Sequence, residues 1–142
     1  MSPATAAGAR VIHNAWPGFG QQKRFAEDQC RNSWLLNLDA DEVLSERLRN
    51  EIRGLFVVGE PALAAYGMWA QIVYPGHTKP RPFARDLYVH RLYDRRKVRF
   101  ADKTLHDSVE VGGLPVGRFD GDLLHFSVRS LDDLIAKGDE RA

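Results

Sequence analysis

The first half of the chain alternates between helical and strand-like patterns of apolar residues. Over residues 21–30 the composition and spacing favour a helix that places Phe25 and Ala26 on its inner face. The apolar run WLLNL, residues 34–38, has the length of a buried strand and ends abruptly at an acidic segment. Residues 11–13 form a shorter apolar run, for which we also predict a strand.

A second helix is predicted directly after the acidic segment. Ser45 is a typical N-cap, and Glu46 places a negative charge in the first turn, where it interacts favourably with the helix dipole. Leu48, Ile52 and Leu55 recur at the spacing of one helical face. This face is therefore the side that we expect to be buried.

The second half of the chain is dominated by strand patterns. Short apolar or β-branched segments are separated by glycine, proline or charged turns, which predicts a strand for each segment. These segments are residues 64–74, 87–93, 98–100, 108–111, 116–119 and 123–126. With a terminal helix predicted after Ser130, the order of elements indicates an α/β or α+β domain.

Composition places the chain among ordinary globular proteins. Its 142 residues suffice for one domain, and 44% hydrophobic with 27% charged residues argues against disorder. The net charge of +1 gives no indication of a nucleic-acid partner. No apolar run reaches the ~20 residues that span a bilayer. Cys30, the only cysteine, is predicted to be a small buried hydrophobe, and the lack of an intrachain disulfide agrees with a reducing cytoplasm.

The strongest chemical signal is the acidic segment after the apolar run. Asp39 and Asp41 lie two positions apart, and alternate residues of an extended segment share a face, so both carboxylates can enter one pocket. In open α/β sheets, ligands bind beyond the carboxyl ends of the strands. Mg²⁺ and Mn²⁺ prefer oxygen ligands, typically carboxylates together with substrate phosphates. The alternative is that Asp39, Asp41 and Glu42 only cap the helix that follows.

Four segments of the chain carry a recognisable series of motifs. They are residues 7–52, which contain FGQQKRF and WLLNLDADE, residues 81–100 (RPFARDLYVHRLYDRRKVRF), residues 105–111 (LHDSVEV) and residues 116–134 (VGRFDGDLLHFSVRSLDDL). In this order and spacing they resemble glycosyltransferase family 2, and most of all its bacterial subgroup associated with lipopolysaccharide core assembly. The resemblance implies an incomplete GT-A fold: a Rossmann-like, three-layer α/β domain with a mixed sheet and a β-rich C-terminal part.

The same resemblance implies a reaction and a set of reacting groups. A sugar would pass from a nucleotide-sugar donor to a saccharide or lipid-linked acceptor, in the cytoplasm at the face of the inner membrane. Asp39 and Asp41 would hold Mg²⁺ or Mn²⁺ on the donor diphosphate, and His125 would complete the metal shell. Asp107 would be the base that deprotonates the acceptor hydroxyl. For His125 the alternative is a half-buried histidine bonded to backbone, and for Asp107 a surface residue at a strand edge.

Candidate substrate contacts come from basic residues. Residues 79–99 hold eight basic residues and two acidic residues, and arginine is suited to planar phosphate contacts. Arg85 and Arg91 are the candidates there, the alternative being a solvated hairpin. Lys23, near the start of a predicted helix, is a candidate phosphate contact, unless the loop before it only anchors the helix. His106 is a further candidate for substrate binding.

The resemblance predicts one partial glycosyltransferase domain over residues 1–142. Residues 1–10 would be a loose N-terminus, residues 11–60 the donor and metal half, and residues 61–142 the acceptor half with the C-terminal helix. The strand–helix–strand unit with which family members begin is not recognised before Ala7. The alternative function is therefore a truncated, catalytically inactive remnant, or an interaction module that docks to another chain.

Overall fold

A computed structural model describes residues 2–80, 87–102 and 108–126 of the chain. The helices are α1 (Pro3–Ala6), α2 (Phe19–Gln29) and α3 (Glu46–Leu55). The strands are β1 (Trp34–Leu36), β2 (Glu42–Leu44), β3 (Ala65–Ile72), β4 (Leu87–Asp94), β5 (Arg99–Phe100), β6 (Val109–Glu110), β7 (Gly117–Arg118) and β8 (Leu123–His125). The terminal helix predicted after Ser130 lies outside the described residues.

Six strands form one mixed sheet, which confirms the expected mixed α/β architecture. The order along the sheet is β1-β4-β3-β8-β2. β7 and β8 pair with the same edge of β3, β7 near the start of that strand and β8 near its end. β3 pairs parallel with β7 and β8, whereas the β1–β4, β3–β4 and β2–β8 pairs are antiparallel. β5 and β6 form a separate two-stranded antiparallel ribbon.

The connection between β1 and β2 requires the sheet to curl. These two strands lie at opposite ends of the sheet order, yet only residues 37–41 join them. Four strand spacings of about 4.8 Å would separate them in a flat sheet. The connecting segment also turns back on itself, since the backbone N–H of Glu42 donates to the carbonyl of Asp39 at 3.1 Å. The curl brings both ends of the sheet to one acidic turn.

One face of the sheet packs on α3, as the sequence predicts. The Ser45 side chain caps the helix by accepting from the backbone N–H of Leu48 at 3.2 Å. Leu48 is completely buried, and Ile52 and Leu55 pack against the same cluster. The sheet residues of this cluster are Tyr66, Met68, Ala70, Leu92, Phe119 and Leu123.

A second apolar cluster lies on the opposite face of the sheet. Ala65 belongs to it, while the next residue, Tyr66, belongs to the first cluster, as expected for alternate side chains of a strand. Tyr93 and Phe100 are its large buried members, and their ring centroids lie 6.2 Å apart. The side chain of Arg99 reaches α2, which therefore lies on this side of the sheet.

The turn before β8 is fastened to α3. Both carboxylate oxygens of Glu51 accept backbone N–H groups, from Asp120 at 2.9 Å and from Gly121 at 2.6 Å. A Cβ atom at Gly121 would lie 2.6 Å from the Cα atom of Leu48, so only glycine allows this close approach. The turn thereby sets the position of β8 and of His125 at its end.

A β-bulge in β4 sets the direction of one arginine. Tyr66 pairs with Leu92 and Gly67 pairs with His90, which leaves Arg91 as an extra residue on β4. Bulges bend a strand and re-aim side chains, and they are common beside functional sites. Here the guanidinium group of Arg91 is directed at the acidic turn.

Some local predictions are wrong. Residues 11–13 form no strand, and residues 3–6 form a short helix rather than a loose segment. Ala26 is exposed and Glu27 is buried instead, because Glu27 finds partners on the opposing strands. Cys30 is exposed at the C-terminal end of α2. The six predicted strand segments of the second half all coincide with observed strands, whereas β2 was not predicted.

None of the helices in the described ranges is long and apolar enough to cross a lipid bilayer.

Candidate metal centre

Three carboxylates converge at the turn between β1 and β2. One oxygen from each of Asp39, Asp41 and Glu42 lies within 4.8 Å of the others. Asp39 and Asp41 stand on the connecting segment, and Glu42 is the first residue of β2. The sequence predicts that an extended backbone directs the carboxylates of Asp39 and Asp41 to one side. In the structure a turn brings them together, and the same turn adds the carboxylate of Glu42.

The unpredicted strand β2 brings His125 to this turn. β2 runs antiparallel to β8, with Glu42 opposite His125. The backbone N–H of Phe126 donates to the carbonyl of Asp41 at 2.8 Å. As a result, the Nε2 atom of His125 lies 3.1 Å from Oδ2 of Asp41. His125 therefore contacts one of the three carboxylates from the side.

Two basic side chains contact the cluster from elsewhere in the fold. Nζ of Lys23, on α2, donates to Oδ1 of Asp39 and to Oδ1 of Asn37, the latter at 3.0 Å. Nη2 of Arg91 lies 2.8 Å from Oε1 of Glu42 and 3.5 Å from Oδ2 of Asp39. Arg91 is only 7% exposed, so it contacts the cluster from the interior of the protein.

The two neighbouring carboxyl groups of Asp39 and Glu42 are driven to opposite protonation states. Burial, followed by the hydrogen bond with Asp39, raises the pKa of Glu42 to about 7 against the lowering effect of Arg91. Burial also acts to raise the pKa of Asp39, but the hydrogen bond from Glu42 and the charges of Lys23 and Arg91 outweigh it. The pKa of Asp39 is therefore lowered to about 2. A single positive charge placed between the carboxyl groups of Asp39 and Glu42 would therefore interact with both.

One oxygen of the cluster lacks a hydrogen-bond donor within the described ranges. Oε2 of Glu42 is buried and has no hydrogen-bond partner among the described residues unless a proton lies between it and Asp39. The Glu42 side chain is 3% exposed, which makes an uncompensated oxygen costly. A cation bound between the carboxylates would satisfy this oxygen. Carboxylate oxygens are donors that Mn²⁺ and Mg²⁺ accept, so the three acidic residues fit a divalent metal.

A cavity of about 460 Å³ opens beside Asp41. Its volume lies in the range of small-molecule binding sites. The wall is mostly apolar, with polar atoms from a few side chains, and its lining residues are Ala40, Asp41, Val43, Val73, Tyr74, Pro75, Gly76, His77 and Phe126. The acidic turn therefore contacts the buried Arg91 through Asp39 and Glu42, and it borders an open cavity at Asp41.

The structure brings together all five site residues predicted within its described ranges. Lys23 and Arg91 contact Asp39, His125 contacts Asp41, and the two aspartates have carboxylate oxygens within 4.8 Å of each other. Their predicted roles in metal and substrate binding remain predictions.

Three other predicted site residues, Arg85, His106 and Asp107, lie outside the described residues.

Two members of the site were given no binding role from the sequence. Glu42 was considered only as a helix cap, although it begins a strand and points its side chain into the cluster. Asn37 supplies the second oxygen to Lys23. A polar side chain at position four of the otherwise apolar run WLLNL is the sequence signal that could have identified Asn37.

Known relatives of the chain carry a common name. A protein of Rickettsia prowazekii named uncharacterized glycosyltransferase is 38% identical over 140 residues, which are 92% of this chain and 48% of that protein. A protein of the same name from Rickettsia felis is 42% identical over 106 residues, 72% of this chain and 38% of its own length. The lipopolysaccharide core biosynthesis glycosyltransferase LpsC of Rhizobium meliloti is 32% identical over 139 residues, 90% of this chain and 47% of LpsC.

The chain spans about half the length of these curated relatives. No protein-family model and no solved structure matches it. Its homologues are nevertheless glycosyltransferases, one of them acting in lipopolysaccharide core biosynthesis by name.

Proposed function

We propose, from the chain's glycosyltransferase homologues and its carboxylate cluster, that it carries the metal and donor site of a family 2 glycosyltransferase of the GT-A fold. The reaction is transfer of a sugar from a nucleotide-sugar donor to a saccharide or lipid-linked acceptor. The name of LpsC supports an acceptor in the lipopolysaccharide core. The cytoplasmic face of the inner membrane is the proposed place of the reaction.

The single observation that carries this proposal is the convergence of Asp39, Asp41 and Glu42 around an unsatisfied buried oxygen. A helix-capping role for these acids would leave that oxygen with no described partner except a proton shared with Asp39. A divalent cation would give it one, and would remove the repulsion between neighbouring carboxylates.

The residues around the cation have separate tasks in this reaction. A bound divalent metal neutralises the charge that develops on the departing nucleoside diphosphate. Asp39 and Asp41 would hold the metal, and His125 would orient the Asp41 carboxylate through its 3.1 Å contact or add a ligand. Arg91 fixes Glu42 and Asp39 in position from beneath the cluster.

The acceptor side follows from the family resemblance. Asp107 takes the proton of the acceptor hydroxyl while that oxygen bonds to the anomeric carbon of the sugar. The bond from the anomeric carbon to the nucleoside diphosphate breaks in the same displacement. Arg85 and His106 contribute substrate contacts. The cavity of about 460 Å³ beside Asp41 is the place for the transferred sugar.

Mn²⁺ binding with a nucleoside diphosphate tests this proposal. The full chain is titrated with Mn²⁺, with and without UDP, GDP or ADP, and bound Mn²⁺ is followed by electron paramagnetic resonance. We expect Mn²⁺-dependent binding of one nucleotide, and at least a tenfold loss in Asp41→Asn. The control variant is Asp120→Asn, which removes an exposed carboxylate whose ion-pair partner among the described residues is Arg47 at 3.6 Å.

Two outcomes would contradict the proposal. One is the absence of Mn²⁺-dependent nucleotide binding in the wild type, and the other is equal binding by Asp41→Asn and the wild type. Either result would favour the second candidate function, a catalytically inactive module. One observation supports that alternative: Lys23 and Arg91 contact Asp39 and Glu42, so two of the three carboxylates have a basic partner without a metal.

A further inference from the structure

The Asp39 carboxylate is the most heavily neutralised group of the cluster. Lys23 binds its Oδ1 atom, and Arg91 lies 3.5 Å from its Oδ2 atom. By contrast, the side chain that contacts Asp41 among the described residues is the imidazole of His125. A divalent cation that binds to both aspartates must therefore share Asp39 with two positive side chains, or displace one of them.

Arg91 is held in place and is not the cation that leaves. Its side chain is 9% exposed, and its guanidinium group lies 2.8 Å from the buried Glu42 carboxylate. Arg91 stands at the bulge of β4, and its own backbone carbonyl accepts from the N–H of Asn37 at 2.8 Å. Withdrawing Arg91 would break this packing and leave Glu42 without its buried partner.

Lys23 is free to move by comparison. Its side chain is 18% exposed, and it extends from the surface of α2 to bind the acidic turn. Lysine is a point charge on a flexible four-carbon chain, which suits it to exchange one oxygen ligand for another. Its ammonium binds two oxygens, of Asn37 and Asp39, and only the second of these belongs to the metal site.

We infer that Lys23 is a positioning residue which holds Asp39 in the ligand-free protein and transfers its ammonium to the donor diphosphate when a divalent cation takes its place. This inference rests on the proposed function. The exchange couples the two ligands, because the metal releases the cation that the diphosphate then binds. Lys23 thus opposes binding of the metal alone and supports binding of the metal with the nucleotide.

Lys23→Met tests the inference, since it keeps the length of the side chain and removes its charge. We expect Mn²⁺ alone to bind this variant at least threefold more tightly than the wild type. At saturating Mn²⁺, the nucleoside diphosphate should bind at least threefold more weakly. Lys23→Arg retains the charge and should stay near the wild type for Mn²⁺ alone. A purely structural lysine would not produce shifts of opposite sign.

Arg24→Met is the matched control, because Arg24 is the next residue of α2 and its guanidinium contacts Asp102 at 3.7 Å, away from the cluster. It should leave both affinities unchanged. The inference is overturned if Lys23→Met weakens Mn²⁺ binding in the absence of nucleotide, or leaves both affinities at wild-type values. In either case, the proposed function still stands if the wild type binds the nucleotide in the presence of Mn²⁺. If neither protein binds Mn²⁺, the proposed function and this inference fail together.

Discussion

Two acidic sites of the protein differ in how their carboxylates are satisfied. Glu27, on α2, is 1% exposed and has a donor for each oxygen. Its Oε2 atom accepts from the hydroxyl of Tyr93 at 2.6 Å and from the backbone N–H of Phe100 at 3.2 Å. Its Oε1 atom accepts from Nε of Arg99 at 3.0 Å. This carboxylate needs no further ligand.

The cluster at Asp39, Asp41 and Glu42 has the opposite character. Its carboxylates face one another, and the buried Oε2 atom of Glu42 has no donor among the described residues. The comparison shows that burial of an acid does not by itself indicate a functional site. A fully bonded buried carboxylate joins elements of the fold, whereas converging carboxylates with an unsatisfied oxygen favour a bound cation.

The largest effect is expected from Glu27→Gln, which breaks the satisfied site. A glutamine has one acceptor oxygen, so its amide NH₂ would face a donor, either Arg99 or the pair Tyr93 and Phe100. We expect the free energy of unfolding to fall by roughly 2–4 kcal/mol. Urea denaturation measures it. Mn²⁺ affinity of the folded variant should not change, and a large change would show that the two sites are coupled.

The same substitution at the other site should have the reverse result. In Glu42→Gln the amide oxygen can still accept from Arg91, and the NH₂ group can donate to Asp39. At pH 5, where Glu42 is mostly protonated, we expect the free energy of unfolding to change by less than about 1 kcal/mol. Mn²⁺ affinity should fall at least tenfold, about 1.4 kcal/mol, because a ligand oxygen is lost. If stability collapses while Mn²⁺ affinity is kept, the assignment of the two sites is reversed.

The pH dependence of stability sharpens the contrast. Burial first, and then Asp39, raises the pKa of Glu42 from 4.5 to about 7 in the folded chain. A raised pKa stabilises the fold while the group is protonated, so this contribution is complete below about pH 4.5 and is lost as the pH rises through about 7. The lowered pKa of Asp39, about 2, contributes a constant amount above pH 4.

The corresponding measurement is urea denaturation of wild type and Glu42→Gln in a chelator at several values from pH 5 to pH 8. The stability of the wild type relative to the variant should decrease with rising pH, by less than the loss in Glu27→Gln. Parallel pH profiles would show that Glu42 does not share a proton with Asp39.

The smallest effect is expected from Asp28→Ala, next to Glu27. Asp28 contacts the same arginine, with Oδ1 2.7 Å from Nη2 of Arg99, but its side chain is 61% exposed. Exposed ion pairs contribute little, so the free energy of unfolding should change by no more than about 0.5 kcal/mol. A loss close to that of Glu27→Gln would mean that the charge of Arg99, rather than the buried oxygen, determines stability there.

Much of the local structure could be read from the sequence. The cap at Ser45, the buried face of α3 and the strand segments of the second half depend on neighbours within a few positions. The proximity of Asp39 and Asp41 is also local, since they are two residues apart. The resemblance to glycosyltransferases agrees with the names of the relatives, whereas the metal and the catalytic role of Asp107 remain predictions.

The partners of the acidic groups were beyond local patterns. His125 and Asp41 are 84 positions apart, and Arg91 and Glu42 are 49 apart. The pairing of β2 with β8 and the bulge in β4 create these contacts, and neither has a periodic signal in the chain. The same applies to Glu27, whose burial follows from Tyr93 and Arg99 rather than from its own neighbours on α2.

The sequence by itself therefore determined which short segments are helical or extended, and where carboxylates stand next to an apolar strand. Only the tertiary structure decided which carboxylates are satisfied and which converge around an oxygen that lacks a donor in the part of the chain that the structure describes. The reason is physical: a periodic pattern reports the side of an element that avoids water, whereas a buried charge is stabilised by donors that the fold brings from distant parts of the chain.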